Sequence, residues 1–125
     1  MIEASENLIS IVLNAAFAVH TELGPGLLES VYQKAMMIEL RERGIPAQSE
    51  VDVDVRYHGQ DLGMGFRVEI LVDKVLIVEL KSVTALNEVH LAQIMSYQKI
   101  LGIKRGLLLN FGELRLKDGI KRVSI

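Results

Sequence analysis

Three charged side chains in the stretch Arg67–Lys81 have the types and spacing that a catalytic site requires. The stretch reads as two apolar strands, with Glu69 on the first and Glu79 and Lys81 on the second. Residues two apart in a strand point to the same face, so Glu79 and Lys81 share a side. Two carboxylates that meet on one face repel each other unless a proton or cation lies between them, and oxygen ligands suit Mg²⁺ or Mn²⁺. The stretch therefore predicts a divalent-cation site, provided that Glu69 and Glu79 meet.

The length of the turn between the two strands decides whether the acids meet. A three-residue connection, Asp73–Val75, would pair Val72 with Leu76 and hence Glu69 with Glu79. A two-residue turn would put Glu69 opposite an apolar residue and break both faces of the hairpin. We therefore expect the longer or a bulged turn, with the even-numbered positions forming one apolar core face: Val68, Ile70, Val72, Leu76, Val78 and Leu80.

The same register also fits a simpler arrangement of the charges, because it places Arg67 opposite Lys81. Basic neighbours relieve the repulsion between like charges that face each other across two strands. A salt-bridge cluster on a solvent-exposed face, formed by Arg67, Glu69, Glu79 and Lys81, is therefore the structural alternative to a metal site.

Composition limits the class of protein. The 125 residues are 50% hydrophobic, which predicts a single domain, 1–125, with a substantial core. No run of 18 apolar residues and no basic leader followed by an apolar segment occurs, which argues against a membrane span or a secretion signal. Cysteine is absent, which excludes disulfides and thiolate metal sites and makes the cytoplasm the expected location.

Charge is unevenly distributed along the chain. Residues 99–125 contain seven Lys and Arg residues but only two acidic ones, whereas acidic residues outnumber basic ones two to one in residues 1–98. A basic end beside an acidic site suits an enzyme that binds phosphodiesters through a metal. From composition alone, an ordinary solvated surface with uneven charge is the simpler explanation.

Hydrophobic periodicity predicts the elements that position these residues. Apolar residues recur at helical spacing in three segments and at strand spacing elsewhere. The predicted order is α-α-β-β-β-α-β-β, and a helix between two buried strands indicates a crossover and a mixed sheet. The predicted helices are 5–22, 28–43 and 88–101; the predicted strands are 47–57, the two strands of 67–81, 105–111, and edge strands within 113–116 and 120–125.

The third predicted helix carries polar residues at regular spacing. His90, Gln93 and Tyr97 fall at i, i+3 and i+7, so they lie on one helical face. A polar face on a surface helix needs no function, so the spacing alone does not assign one.

Several strings of the sequence resemble one protein family. Residues 19–32, VHTELGPGLLESVY, resemble the signature of the GxxExxY proteins through Gly26, Glu29 and Tyr32. The later strings 78–83, 90–97 and 106–112 follow the same family in order, and the resemblance extends over about residues 8–123. This family is assigned to the PD-(D/E)xK nuclease superfamily, and Gln93-x-x-x-Tyr97 is similar to the QxxxY motif of its RecB-like nucleases.

The resemblance implies a restriction-endonuclease-like fold, a mixed central sheet flanked by helices, and specific roles. Glu69, Glu79, the Leu80 carbonyl and Glu29 would hold Mg²⁺ or Mn²⁺, while Lys81 would orient the attacking water or neutralise charge on the phosphate. Gln93 would fix one of these groups. With the basic end of the chain, the expected contacts to nucleic acid are Tyr97, His90, Lys99, Lys104 and Arg105.

The leading hypothesis is a Mg²⁺-dependent nuclease that cleaves nucleic acid, DNA in preference to RNA. The alternative is a catalytically weak nuclease-fold module that binds nucleic acid or serves as a scaffold, because Glu69 stands where the superfamily usually has the shorter Asp. We further expect a homodimer, supported by the edge strands and the apolar residues Ile103 and Leu107–Leu109. Three residues have structural alternatives to a role in the site: Glu29 as a helix N-terminal acid, Tyr32 in the core, and His20 packing near a helix end.

Overall fold

The predicted order of helices and strands is observed. A computed structural model describes residues 3–125, and its elements are α1 Glu6–Leu23, α2 Glu29–Glu42, β1 Ala47–Tyr57, β2 Gln60–Val72, β3 Leu76–Lys81, α3 Glu88–Leu101, β4 Arg105–Asn110, a 3₁₀ turn Leu116–Gly119, and β5 Ile120–Ser124. The prediction of an edge strand within 113–116 is wrong. That segment is a turn, and only β5 follows β4 in the sheet.

The sheet is mixed and follows chain order, β1-β2-β3-β4-β5. Strands β3 and β4 are parallel, with Leu76 beside Arg105 and Lys81 beside Asn110, and the other neighbours are antiparallel. Parallel neighbours need a crossover, which α3 supplies. Its N-terminus is fixed by Asn87, whose side chain accepts hydrogen bonds from the backbone N–H groups of Val89 and His90.

Two apolar clusters cover the two faces of the sheet. Helices α1 and α2 pack on one face, against Ile70, Val72 and the alternate positions of β3, and α3 packs on the other through Ile94. The second helix buries only some of its apolar residues. Leu28, Val31 and Ile38 are exposed, and the buried face of α2 consists of Tyr32, Gln33, Met36 and Leu40.

The prediction that Ile103 and Leu107–Leu109 support a homodimer is also wrong. Leu107, Leu108 and Leu109 are at most 1% exposed and Ile103 is 7% exposed, because they fill the core of the chain itself. Central β4 lies between two other strands, so both of its faces and both of its edges are covered. Any contact between copies must use other residues.

The hairpin between β2 and β3 has the expected three-residue turn. Val72 pairs with Leu76, and the turn residues Asp73 and Lys74 both have positive φ. The paired positions end at Ile70 and Val78, so the expected backbone pairs of Glu69 with Glu79 and of Arg67 with Lys81 do not form. The two strands therefore separate at Glu69 and Glu79.

Where β2 leaves β3, its even-numbered residues change from one face of the sheet to the other. Ile70 and Val72 face α1 and α2, whereas Val68 and Phe66 belong to the cluster under α3. The expectation of one unbroken core face along the even positions is therefore wrong for Val68. The change falls at Glu69, the point at which β2 leaves β3.

The loop between α1 and α2 is held by the buried side chain of Tyr32. Tyr32 Oη donates to the Gly24 carbonyl at 2.6 Å, accepts from Leu27 N at 3.0 Å, and its ring stacks on Phe111 at 4.5 Å. This is the core position that the apolar face of the helix indicated for Tyr32. None of the helices within residues 3–125 has the length and hydropathy needed to cross a membrane.

Candidate active site

An open cavity of about 350 Å³ lies where β2 and β3 separate. It is bordered by α2 on one side and α3 on the other. Six residues singled out in the sequence line it: Glu29, Glu69, Glu79, Lys81, Gln93 and Tyr97. The cavity also contains four residues to which the sequence analysis gave no place in the site: Ser30, Gln33, Glu50 and Arg67.

The two central acids replace the missing backbone pairing between the strands. The Glu69 backbone N–H donates to Glu79 Oε2 at 2.8 Å, and the Leu80 backbone N–H donates to Glu69 Oε1 at 3.1 Å. A buried backbone N–H without an acceptor is costly, so these bonds stabilise the separated strands. Each acid uses one carboxylate oxygen in this way, which leaves its second oxygen for a proton or a cation.

Burial and the charges of neighbouring glutamates raise the pKa of both acids. Glu79 is only 5% exposed, and its burial raises its pKa to about 7, although the N–H of Glu69 and the charge of Lys81 act in the opposite direction. Burial, together with the charges of Glu29 and Glu79, raises the pKa of Glu69 to about 9. The site thus favours a proton or a cation between its carboxylates.

Helix α2 brings Glu29 to the cavity and is anchored there by Gln33. Gln33 lies one turn after Glu29 and donates from Nε2 to the Glu69 carbonyl at 3.2 Å. That carbonyl lies where the ladder with β3 has ended. A polar residue on the same helical face as the buried Met36 and Leu40 was the available sequence signal for Gln33.

Helix α3 contributes Gln93 and Tyr97 but not His90. The Tyr97 ring stacks on Phe66 of β2 at 4.1 Å between centroids, which fixes the helix against the strand. Burial, followed by the charges of Glu79 and Glu69, raises the pKa of the Tyr97 phenol. His90 lies at the first turn of α3, where its Nδ1 accepts from the Asn87 backbone N–H at 3.2 Å.

The alternative salt-bridge cluster does not form. Within residues 3–125, no ion pair joins Arg67 or Lys81 to either of the central acids. Arg67 instead pairs with Asp52 of the neighbouring strand β1, Nε to Oδ1 at 2.6 Å. The charges of this hairpin are therefore arranged around the cavity rather than neutralised within the hairpin.

The three predicted basic contacts Lys99, Lys104 and Arg105 do not line the cavity. Arg105 is beside Leu76 at the start of β3, whereas the cavity is near Lys81 at its end, about 17 Å along the strand. Arg105 is also paired with Glu3 and Glu6. The structure does not bring these residues to the acids.

The chemistry of the lining suits a hard cation, although no metal site is preformed. Within residues 3–125, no three acidic or histidine side chains are close enough to hold a metal ion as they stand. The carboxylates of Glu29, Glu69 and Glu79 nevertheless supply the oxygen donors that Mg²⁺ and Mn²⁺ prefer. The charge of Glu29 acts on both Glu69 and Glu79, which places the three carboxylates near one another.

Comparison with known proteins gives one match. The family model of the PD-(D/E)XK nuclease superfamily matches residues 6–123. No curated protein and no solved structure matches the chain. With its five-stranded mixed sheet between helices, the chain has the restriction-endonuclease-like architecture that the sequence predicted.

Proposed function

Because the chain belongs to the PD-(D/E)XK nuclease superfamily, we propose that it hydrolyses phosphodiester bonds in nucleic acid with a divalent cation, Mg²⁺ or Mn²⁺. We propose DNA rather than RNA as the substrate. The observation that supports the proposal most strongly is the meeting of Glu29, Glu69, Glu79 and Lys81 in one open cavity.

Four groups would hold the cation: the carboxylates of Glu69, Glu79 and Glu29, and the backbone carbonyl of Leu80. When bound, the ion supplies Lewis acidity, which polarises the phosphate and acidifies water. The raised pKa values of Glu69 and Glu79 support this assignment, because an ion relieves the same repulsion that now favours protons.

The remaining lining residues act on the substrate and on the acids. Lys81 follows Glu79 by two positions and would neutralise negative charge that develops on the phosphate oxygens. Gln93 would hold one of the carboxylates or its water by a hydrogen bond. Tyr97 would contact the nucleic acid from α3, where its stacking on Phe66 fixes the ring.

Cleavage assays with matched variants test the proposal. The purified protein is incubated with single-stranded DNA, double-stranded DNA or RNA, in Mg²⁺, Mn²⁺ or EDTA. We expect cleavage that requires the metal and is lost in Glu79→Ala and Lys81→Ala. Glu42→Gln and Lys121→Ala, exposed residues outside the cavity, should cleave like the wild type. Activity that survives Glu79→Ala and Lys81→Ala would refute the site.

A second candidate function is a nucleic-acid-binding or scaffold module with little cleavage. The observation in its favour is that both central acids already accept backbone N–H bonds and that, within residues 3–125, no three acidic or histidine side chains form a metal site. Such a module would bind nucleic acid equally well in EDTA and in Mg²⁺, and it would leave every substrate intact.

We also propose a homodimer, whose two sites would cut the two strands of a duplex. Because Leu107–Leu109 are buried in the chain's own core, the dimer would use other surfaces. Mass measurement in solution tests it, and a monomeric mass at working concentrations would refute it.

A further inference from the structure

We propose that Arg67 binds a phosphate of the substrate strand next to the phosphodiester that is cleaved. The inference rests on the proposed nuclease function and adds to it a binding residue that lies in the cavity but outside the acid–lysine set.

The charges of the cavity lining support this role. Four of its ten residues are glutamates, and the only two cations are Arg67 and Lys81. Nucleic acid is a polyanion, so entry into such a site requires positive charge at its border. With Lys81 placed beside the acids for the chemistry, Arg67 is the cation that remains for holding the strand.

The geometry of Arg67 leaves its phosphate-binding atoms free. Its Nε donates to Asp52 at 2.6 Å, and within residues 3–125 its two terminal Nη groups have no hydrogen-bond partner. These groups form the planar fork that binds phosphate oxygens in pairs. The bond to Asp52 therefore orients the guanidinium without occupying the fork.

The pair with Asp52 does not compete strongly with a phosphate. Both side chains are about half exposed, at 52% and 55%, and ion pairs this exposed contribute little to stability. The simpler interpretation is that the pair fixes the register of β1 and β2, in which Asp52 lies opposite Arg67. That interpretation gives Asp52 and Arg67 equal importance, whereas phosphate binding requires only Arg67.

This asymmetry defines the experiment. Binding of fluorescein-labelled single-stranded and double-stranded DNA is measured by anisotropy across a salt series, with Ca²⁺ in place of Mg²⁺. The variants are Arg67→Gln, Asp52→Asn and the control Arg56→Gln, an arginine at the distal hairpin turn. Arg67→Gln should weaken binding about tenfold and reduce the salt slope by about 0.7–0.9. Asp52→Asn and Arg56→Gln should bind like the wild type.

Other outcomes overturn the inference. Equal losses in Asp52→Asn and Arg67→Gln would show that the pair only fixes the strands, and unchanged binding in Arg67→Gln would show that no phosphate contacts this residue. Cleavage in Mg²⁺ separates the two proposals. If the wild type cleaves and Arg67→Gln binds normally, only the inference fails; if the wild type neither binds nor cleaves nucleic acid, the proposed function fails and the inference with it.

Discussion

The carboxylates that form the site should make the metal-free protein less stable as pH rises. Glu69 and Glu79 have pKa values in the fold of about 9 and about 7, above the ordinary value of 4.5. Between pH 4.5 and these raised pKa values the folded protein binds more protons than the unfolded chain, so stability decreases with increasing pH. The stabilisation from these protons is complete below pH 4.5 and is lost as pH rises through about 7 for Glu79 and about 9 for Glu69.

The size of the effect can be worked out for Glu79, which is 5% exposed. A rise in pKa from 4.5 to about 7 corresponds to about 3 kcal/mol in the free energy of unfolding. Glu69 extends the loss toward pH 9, and the two contributions are not additive because the charges interact. Since whole domains are stable by about 5–15 kcal/mol, a loss of this size is measurable.

Urea unfolding at intervals from pH 5 to pH 9, in EDTA, measures this loss. Glu79→Gln should flatten the profile, because the amide oxygen still accepts the Glu69 N–H bond but does not ionise. Glu42→Gln, an exposed glutamate outside the cavity, should keep the wild-type slope. A wild-type profile that is flat over this range, or a slope that is unchanged in Glu79→Gln, would refute the reasoning.

Three further predictions concern the cation and the residues that hold the helices to the sheet. Mn²⁺ should raise the melting temperature of the wild type at pH 8 but not at pH 5, because protons occupy the acids at low pH. Calorimetric scans of the wild type and Glu79→Gln check this. An equal rise in the wild type and in Glu79→Gln would contradict it. Gln33→Met removes the donor to the Glu69 carbonyl with little change in volume, so it should cost about 1 kcal/mol of stability. It should also weaken Mn²⁺ binding in isothermal titration. The control Lys34→Met, at an exposed position, should change neither the stability nor the Mn²⁺ binding. Tyr32→Phe keeps the stack on Phe111 but loses the bonds to Gly24 and Leu27, so urea unfolding should show a loss of about 1–3 kcal/mol; a loss below about 0.5 kcal/mol would mean that the loop does not depend on these bonds.

Local sequence patterns were sufficient to predict the three helices, most of the strands and the register of the central hairpin near its turn. The alternation of apolar residues excludes a two-residue turn between β2 and β3, and the pairing of Val72 with Leu76 follows from the longer turn. The cap at Asn87 and the helical period of α3 are likewise local features.

The rest depended on contacts between residues distant in sequence. Arg67 was expected opposite Lys81, but its partner Asp52 lies on β1, and only the path of β2 after it leaves β3 decides between them. The basic residues near the C-terminus were expected to serve the site as a group. The position of Arg105 at the far end of β3 follows from the parallel register of β3 and β4, which no local pattern specifies.

The separation of two strands explains why the site lies where it does. Where β2 leaves β3, the N–H groups of Glu69 and Leu80 and the carbonyl of Glu69 bond to side chains. These side chains are Glu79, Glu69 and Gln33, and two of them are the acids themselves. Each acid bonds to the backbone through only one carboxylate oxygen, so the proposed cation would bind the second oxygens while the bonds that stabilise the fold stay in place. The contacts at the point where the strands separate would therefore also hold the acids in position for a metal.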